Sequence, residues 1–450
     1  MAAAPESPTD APKVVGFREA IGFWCKLGFI SFGGPAGQIA VMHQELVVRR
    51  RWISEKRFLH ALNYCMVLPG PEAQQLATYI GWLMHRTWGG IVAGALFVLP
   101  SLFILIGLSW IYIAYGQVPL VAGLFYGIKP AVIAIVVQAA HRIGSRTLNS
   151  WLLWLIAVAA FLAIAALNLP FPAIIGAAAL VGVIAGRVAP DLLKPGSNHG
   201  TAAKTSLPAL IDDDTPTPAH ALFRWSRLLR VALVGLGLWA APLLLLGASY
   251  GWNHTLTQMG WFFTKAAMVT FGGAYAVLPY VYQGAVTQFG WLSPTQMIDG
   301  LGLGETTPGP LIMVVAFVGF VGGYLKAYLG AQSLFLAGAL AAIVVTWFTF
   351  LPSFVFILAG GPIVESTHND IKFTAPLTAI TAAVVGVIAS LALFFAYHVL
   401  WPAGRSGRFD WISAAIAAVA AVALIRYKRN VIQVIAGCAL VGYLAKTLLY

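Results

Sequence analysis

Long apolar runs dominate this chain, most of them near the ~20 residues that a helix needs to cross a hydrocarbon core. Uninterrupted runs over 89–113, 118–140, 151–168 and 171–187 predict four membrane spans, and runs near 330–359, 371–397, 411–425 and 430–448 predict four more. One further apolar helix, 227–249, lies between the two sets. Four other runs are broken in the middle. Residues 17–48 are split by Gly33-Gly34-Pro35 and 58–84 by Pro69-Gly70-Pro71, while 254–287 is split at Gly272-Gly273 and 296–326 at Pro308-Gly309-Pro310. Proline removes a helical hydrogen bond and glycine tolerates the backbone angles of a reversal, so each of these runs predicts a discontinuous helix.

The broken runs repeat one another. Phe32-Gly33-Gly34, Trp52-x-Ser54 and Pro69-Gly70-Pro71 recur as Phe271-Gly272-Gly273, Trp291-x-Ser293 and Pro308-Gly309-Pro310, each pair 239 residues apart. Lys26 with Lys265, Gln44 with Gln283 and Leu62 with Leu301 keep the same offset. An ungapped match of this length is the signature of an internal duplication. Leu99-Pro100-Ser101 recurs as Leu351-Pro352-Ser353 at an offset of 252, so the second copy has gained 13 residues by that point. The domains predicted are a mobile N-terminal tail (1–16), a first repeat (17–187), a flexible Pro- and Gly-rich linker (188–226) with the acidic run Asp212-Asp213-Asp214, the connecting helix (227–249) and a second repeat (250–450).

Composition places these elements in a bilayer. With 60% hydrophobic and only 9% charged residues, the chain lacks the roughly 25% charge of a soluble domain. The net charge of +12 would suit nucleic acid in a soluble protein, but here it is concentrated in short loops and tails and follows topology. The loop with Arg49, Arg50, Arg51, Lys56 and Arg57 has an uncharged counterpart at 288–296, which puts equivalent loops on opposite sides. His141, Arg142 and Arg146, then Arg224, Arg227 and Arg230, then Arg426, Lys428 and Arg429 all fit the cytoplasm, while Arg405 and Arg408 run against the rule. Placing both the arginine-rich entrance and the His85-Arg86 exit of the 58–84 element inside makes that element re-entrant. The fold expected is therefore an all-α polytopic membrane protein of two inverted repeats, each with two discontinuous or re-entrant elements and about four transmembrane helices.

Paired discontinuous helices in corresponding positions of two inverted halves point to a transporter binding site. Pro35, Pro71 and Pro310 suit the first position of a new half-helix, where free amides and the helix dipole attract an anion. The candidate substrate-binding set is built around the breaks: Ser31, Phe32, Gly33, Gly34 and Gln38; Pro69, Gly70, Pro71, Gln74 and Gln75; Thr270, Phe271, Gly272, Gly273 and Tyr275; Thr306, Thr307, Pro308, Gly309 and Pro310. Lys26 and Lys265 sit two turns before the first breaks and either face the site or snorkel to an interface. The hydroxyls of Ser31 and Thr270 either donate to an oxyanion or bond their own helix backbone, and the glutamines and threonines either replace a hydration shell or satisfy the broken backbone. Glu72 and Glu305 are intramembrane acids and so candidates for proton coupling, although Glu72 also suits the dipole of a first helical turn. Lys129 and Asp299 are further buried charges without a duplicate. Cys25, Cys65 and Cys438 make neither a disulfide framework nor a metal site, and no phosphate loop or nucleophile elbow is present, so neither an enzyme nor a cofactor is expected.

The Phe32-Gly33-Gly34-Pro35 stretch with Gln38, the Pro69-Gly70-Pro71 stretch with Gln75, their second-half echoes and a length near 450 residues resemble the chromate ion transporter family in its long two-domain form. The resemblance implies secondary active export of chromate from the bacterial cytoplasm across the inner membrane, as an antiport driven by the proton motive force that gives chromate resistance. Its partners would be chromate, protons and the bilayer, with a homodimer compatible and no nucleic acid. Sulfate has the same charge and nearly the same shape, so a sulfate or other oxyanion transporter stays open, as does a passive anion channel. Ala274 stands where Pro35 does and Leu311 where Glu72 does, which implies unequal contributions from the two copies.

Overall fold

The helices of the computed structural model, which describes residues 15–32, 34–193, 208–216, 218–366, 374–404 and 406–449, follow the apolar runs closely. The first copy comprises α1 (Phe17–Ile30), α2 (Gly34–His43) with a π-helical turn (Gln44–Arg49), α3 (Glu55–Val67), α4 (Glu72–Tyr115), α5 (Pro119–Thr147), α6 (Trp151–Ala165) and α7 (Phe171–Val188). After the connecting α8 (Trp225–Tyr250) come α9 (Thr255–Met268), α10 (Ala274–Tyr282) with a second π turn (Gln283–Gln288) and α11 (Pro294–Thr306). A short turn (Leu311–Met313) leads into α12 (Val314–Lys326), α13 (Leu334–Ser366), α14 (Thr374–Leu400), α15 (Trp411–Ile425) and α16 (Val431–Leu449). Among the described residues, seven helical stretches are long and apolar enough to cross a membrane, and three shorter apolar helices accompany them.

Several contacts recur at the repeat offset. Trp52 N–H donates to Leu46 O at 2.7 Å, and Trp291 N–H to Ala285 O at 2.7 Å, at the same offset of 239. The Phe23–Trp52 ring pair at 5.0 Å has its counterpart in Phe262–Trp291 at 5.7 Å. Ser54 caps α3 through Arg57 N–H, and Ser293 caps α11 in a full capping box with Gln296.

Helix α4 joins two runs that the sequence separates. His85 and Arg86 leave helical geometry, Arg86 at φ 58°, and turn the chain back so that residues 72–84 lie along 87–115. The two arms approach through small residues: a Cβ on Gly81 would fall 2.5 Å from Gly89 O. His85 Nε2 donates to Val15 O at 2.9 Å, Arg50 pairs with Glu19 at 3.7 Å, and His43 meets Glu55 at 2.6 Å. The start of α1, the end of the first π turn, the start of α3 and the bend of α4 thus share one face, so both broken elements of the first copy enter and leave on that side. In the second copy the start of α9, the second π turn and the end of α12 come together through Phe262 on Phe289 at 5.8 Å and His254 on Tyr328 at 5.2 Å. Their face lies at the far end of α4, where Tyr112 bonds Asp299 at 2.8 Å, an arrangement consistent with copies of opposite orientation.

The linker departs from expectation. Residues 208–216 are a docked strap: Leu210 N–H donates to Arg51 O (2.9 Å), Ile211 N–H to Trp52 O (3.1 Å) and Ser54 N–H to Ile211 O (2.9 Å). Asp213, from the acidic run, accepts the Ser54 hydroxyl at 2.6 Å. The loop between the π turn and α3 has backbone groups with no helical partner, and the strap supplies partners for them. Residues 1–14 of the expected mobile tail (1–16) and the linker residues 194–207 lie outside the described residues.

Candidate functional site

The four breaks meet in crossed pairs. Gly309 N–H donates to Ser31 O at 2.8 Å, and Gly70 N–H donates to Thr270 O at 2.8 Å. Adding the offset of 239 turns Ser31 into Thr270 and Gly70 into Gly309, so the repeat exchanges the two bonds. Only glycine fits at these crossings. Gly70 has φ 130° and Gly309 φ 98°, and a Cβ would fall 2.3 Å from Ser353 Oγ on the first and 2.8 Å from Ser101 Cβ on the second. Ser101 and Ser353 are the serines of the repeated Leu-Pro-Ser motif. The duplication of that motif is the signal in the sequence for a shared place at the breaks.

Two half-helix N-termini face each other across this crossing. Helix α2 opens at Gly34 with Pro35 in its first turn, and α10 opens at Ala274 after Gly273; a Cβ on Gly273 would lie 3.9 Å from Pro35 Cγ. Pro71 and Pro310 do not occupy the first helical position. They are extended residues, with ψ 104° and 132°, at the N-cap positions of α4 and the 311–313 turn, so Glu72 and Leu311 begin the helical segments. Gly33 lies outside the described residues, and Pro69 and Pro308 complete the two second breaks around Gly70 and Gly309.

The polar side chains divide into two groups. Gln38 Nε2 donates to Gly309 O at 2.5 Å and Gln75 Nε2 to Pro69 O at 2.8 Å, so these amides satisfy broken backbone. Thr270, Thr306 and Thr307 hydroxyls donate to carbonyls three or four residues back, at 2.6, 2.9 and 3.0 Å. By contrast, the buried hydroxyls of Ser31 and Ser101 and the Oε1 atoms of Gln74 and Gln75 have no hydrogen-bond partner among the described residues. Phe32, Phe271 and Gly272 are half-buried beside them.

Charge at the breaks is acidic. Tyr275 hydroxyl donates to Glu305, and both side chains are buried. Glu72 is half-buried at the first position of α4. Neither repeated lysine is brought to the site. Lys26 and Lys265 are exposed, the first on the α1 face that carries exposed Phe29 and Ile30, the second over the Trp261 ring at 5.8 Å. The inward faces of these helices are occupied by buried Trp24 and Leu27 and by Phe262, Phe263 and Ala266, which turns both ammonium groups outward as snorkelling side chains.

Two polar links between the copies were not legible as pairs. At the α1 face, Arg57 of α3 pairs with Glu365 at the end of α13 at 2.7 Å, and Tyr79 hydroxyl donates to the same carboxylate. At the far face, Asp299 of α11 accepts from Tyr112 near the end of α4 and lies 3.6 Å from Lys129. Among the described residues no cluster of metal-ligating side chains occurs.

The chain matches the family described as Chromate transporter over residues 18–183 and 257–443, two segments whose first residues are 239 apart. It is 31% identical over 462 residues to the chromate transport protein of Pseudomonas aeruginosa, spanning 98% of this chain and 96% of that one. To the chromate transport protein of Cupriavidus metallidurans it is 28% identical over 435 residues (96% and 94%), and to the probable chromate transport protein of Synechococcus elongatus 30% identical over 372 residues (82% and 81%). No solved structure matches.

Proposed function

Since this chain belongs to the chromate transporter family, a multi-pass membrane transporter family and not an enzyme family, we propose that it exports chromate from the bacterial cytoplasm across the inner membrane in antiport with protons, and so confers chromate resistance. The observation that carries this reading is the crossed pair of breaks, where opposed half-helix N-termini and the unpartnered Ser31 and Ser101 hydroxyls surround one region. Backbone amides and hydroxyls are preorganised donors for a tetrahedral dianion, and no fixed lysine is needed to hold it. Tyr275, Gln38 and the glycines of the breaks frame the same region, with the first copy contributing Pro35 and the second Glu305.

Orientation supports export. The face that carries the bend of α4 holds Arg49, Arg50, Arg51, Arg57, Arg86, Arg142 and Arg146, which by the positive-inside rule is cytoplasmic and makes the copies an inverted pair. The membrane potential then assists: moving two negative charges outward is worth about 4.6 kcal/mol per 100 mV, from about 2.3 kcal/mol per charge. Glu305, held by Tyr275 beside the breaks, is the proton carrier, and the bilayer and protons are the transporter's remaining partners.

Purified protein in liposomes tests the reading. Chromate should accumulate against its gradient when a proton gradient is imposed at zero membrane potential, with protons moving the opposite way. Flux that only runs downhill would replace the antiporter by an anion channel. Transport of sulfate with none of chromate would overturn the substrate.

A further inference from the structure

A cavity of about 330 Å³ opens at the face opposite the arginine-rich one, between the end of α4, the first half of α5, the first turns of α11 and the ends of α12 and α16. Its polar lining includes Lys129, Lys446, Asp299, Tyr112, Gln117 and Gln296. Two ammonium groups against one carboxylate leave it net positive, and its volume admits a small ion with part of its water, since one water occupies about 30 Å³.

The cavity gains meaning from the other face. There, the start of α3 is locked to the end of α13 by Arg57 and Glu365, whose side chains are 12% and 3% exposed. Here the start of α11 meets the end of α4 in the corresponding way, and the offset of 239 turns Arg57 into Gln296 and His60 into Asp299. The contact is looser: Lys129 Nζ is 3.6 Å from Asp299 Oδ2, longer than a direct hydrogen bond, and the lysine is 27% exposed. Asp299 Oδ2 already accepts from Tyr112, while its Oδ1, buried, has no partner. Lysine carries three donors on a compact, strongly hydrated charge, which suits exchange between a resident carboxylate and an arriving anion.

We propose that this cavity is the release-side subsite for the divalent oxyanion, with Lys129 as its anchor, Lys446 as a second cation and Asp299 as the carboxylate that competes with the anion for Lys129. This rests on reading the chain as an oxyanion transporter. Asp299 keeps the subsite weak, so the anion is released, and Tyr112 holds the carboxylate while Lys129 is engaged elsewhere.

Equilibrium dialysis of chromate against the full-length protein in lipid nanodiscs tests it, with liposome transport measured on the same preparations. Two classes of site are expected. Lys129→Gln should weaken the weaker class about tenfold, the loss of one charge-assisted contact, and leave the tighter class unchanged. Lys129→Arg should retain it, and Asp299→Asn should tighten it several-fold by removing the competitor. Transport with a single class of site indifferent to Lys129→Gln, or weakening by Asp299→Asn, overturns the subsite and leaves the transporter reading intact. Absence of both chromate binding and transport in the unaltered protein overturns the transporter reading on which the subsite depends.

Discussion

At the scale of single residues, Gly70 and Gly309 show most directly how the sequence sets the site. Each combines a left-handed backbone with a neighbour that a methyl group would strike, so Gly309→Ala should lower the thermal stability of the solubilised protein by about 1–3 kcal/mol and abolish transport. A variant with unchanged unfolding and flux would show that the crossing tolerates a side chain. Glu305→Gln separates structure from proton handling. The glutamine carbonyl still accepts from Tyr275, but the side chain no longer carries a proton, so chromate flux should persist downhill and lose its response to an imposed pH gradient. A wild-type pH response in liposomes would remove Glu305 from the coupling path. These residues were legible because glycine and proline punctuate an apolar run and an acid there has few bland explanations. The two readings of the lysines, facing the site or snorkelling, do not separate along the sequence for a physical reason. A spacing of two helical turns fixes a side chain's height along the helix, but which face turns inward depends on what Trp24 and Leu27, or Phe262 and Phe263, pack against.

At the scale of elements, the strap and the Arg57–Glu365 link hold the ends of the first copy's re-entrant hairpins at the arginine-rich face. Removing one member of a buried pair leaves the other uncompensated, so Arg57→Ala should cost about 3–5 kcal/mol, and adding Glu365→Gln should recover part of it; thermal unfolding of the single and double variants measures both. The segment 218–224 that leads from the strap into α8 carries a pH dependence. His220 Nε2 donates to Trp82 O at 2.9 Å, and burial, with Arg86 and Arg227 adding repulsion, lowers its pKa below the ordinary 6.5. A base with a lower pKa folded than unfolded stabilises fully above the unfolded value and loses that contribution as pH falls below it. Relative to the intrinsic amide rate, which itself slows with falling pH, hydrogen-exchange protection over 208–216 and 218–224 should therefore fall on moving from about pH 7.5 to 5.5, and a His220→Gln variant should lose that change. Helix ends and breaks could be read along the chain because their causes are local. The strap, the α4 hairpin and the two inter-copy links could not, because their partners lie tens to hundreds of residues away and are chosen by packing.

At the scale of the whole molecule, the arginine bias of equivalent loops predicts copies on opposite sides, and the structure is consistent with that, whereas nothing in the apolar pattern itself assigns a face to the cytoplasm. The structure separates exposed positions on the two faces: Gln117 beyond α4 and Ser145 near the end of α5. In single-cysteine variants of intact cells, Gln117→Cys should react with a membrane-impermeant maleimide from outside, and Ser145→Cys should react only after permeabilisation. The reverse pattern would turn the arginine-rich face outward. The same membrane potential would then oppose the release of a dianion through the Lys129 cavity by about 4.6 kcal/mol per 100 mV. The release-side place of the Lys129 cavity therefore stands or falls with this orientation, because the geometry of the breaks is nearly symmetric and the difference between the faces lies in Arg57–Glu365 on one and Lys129–Asp299 on the other.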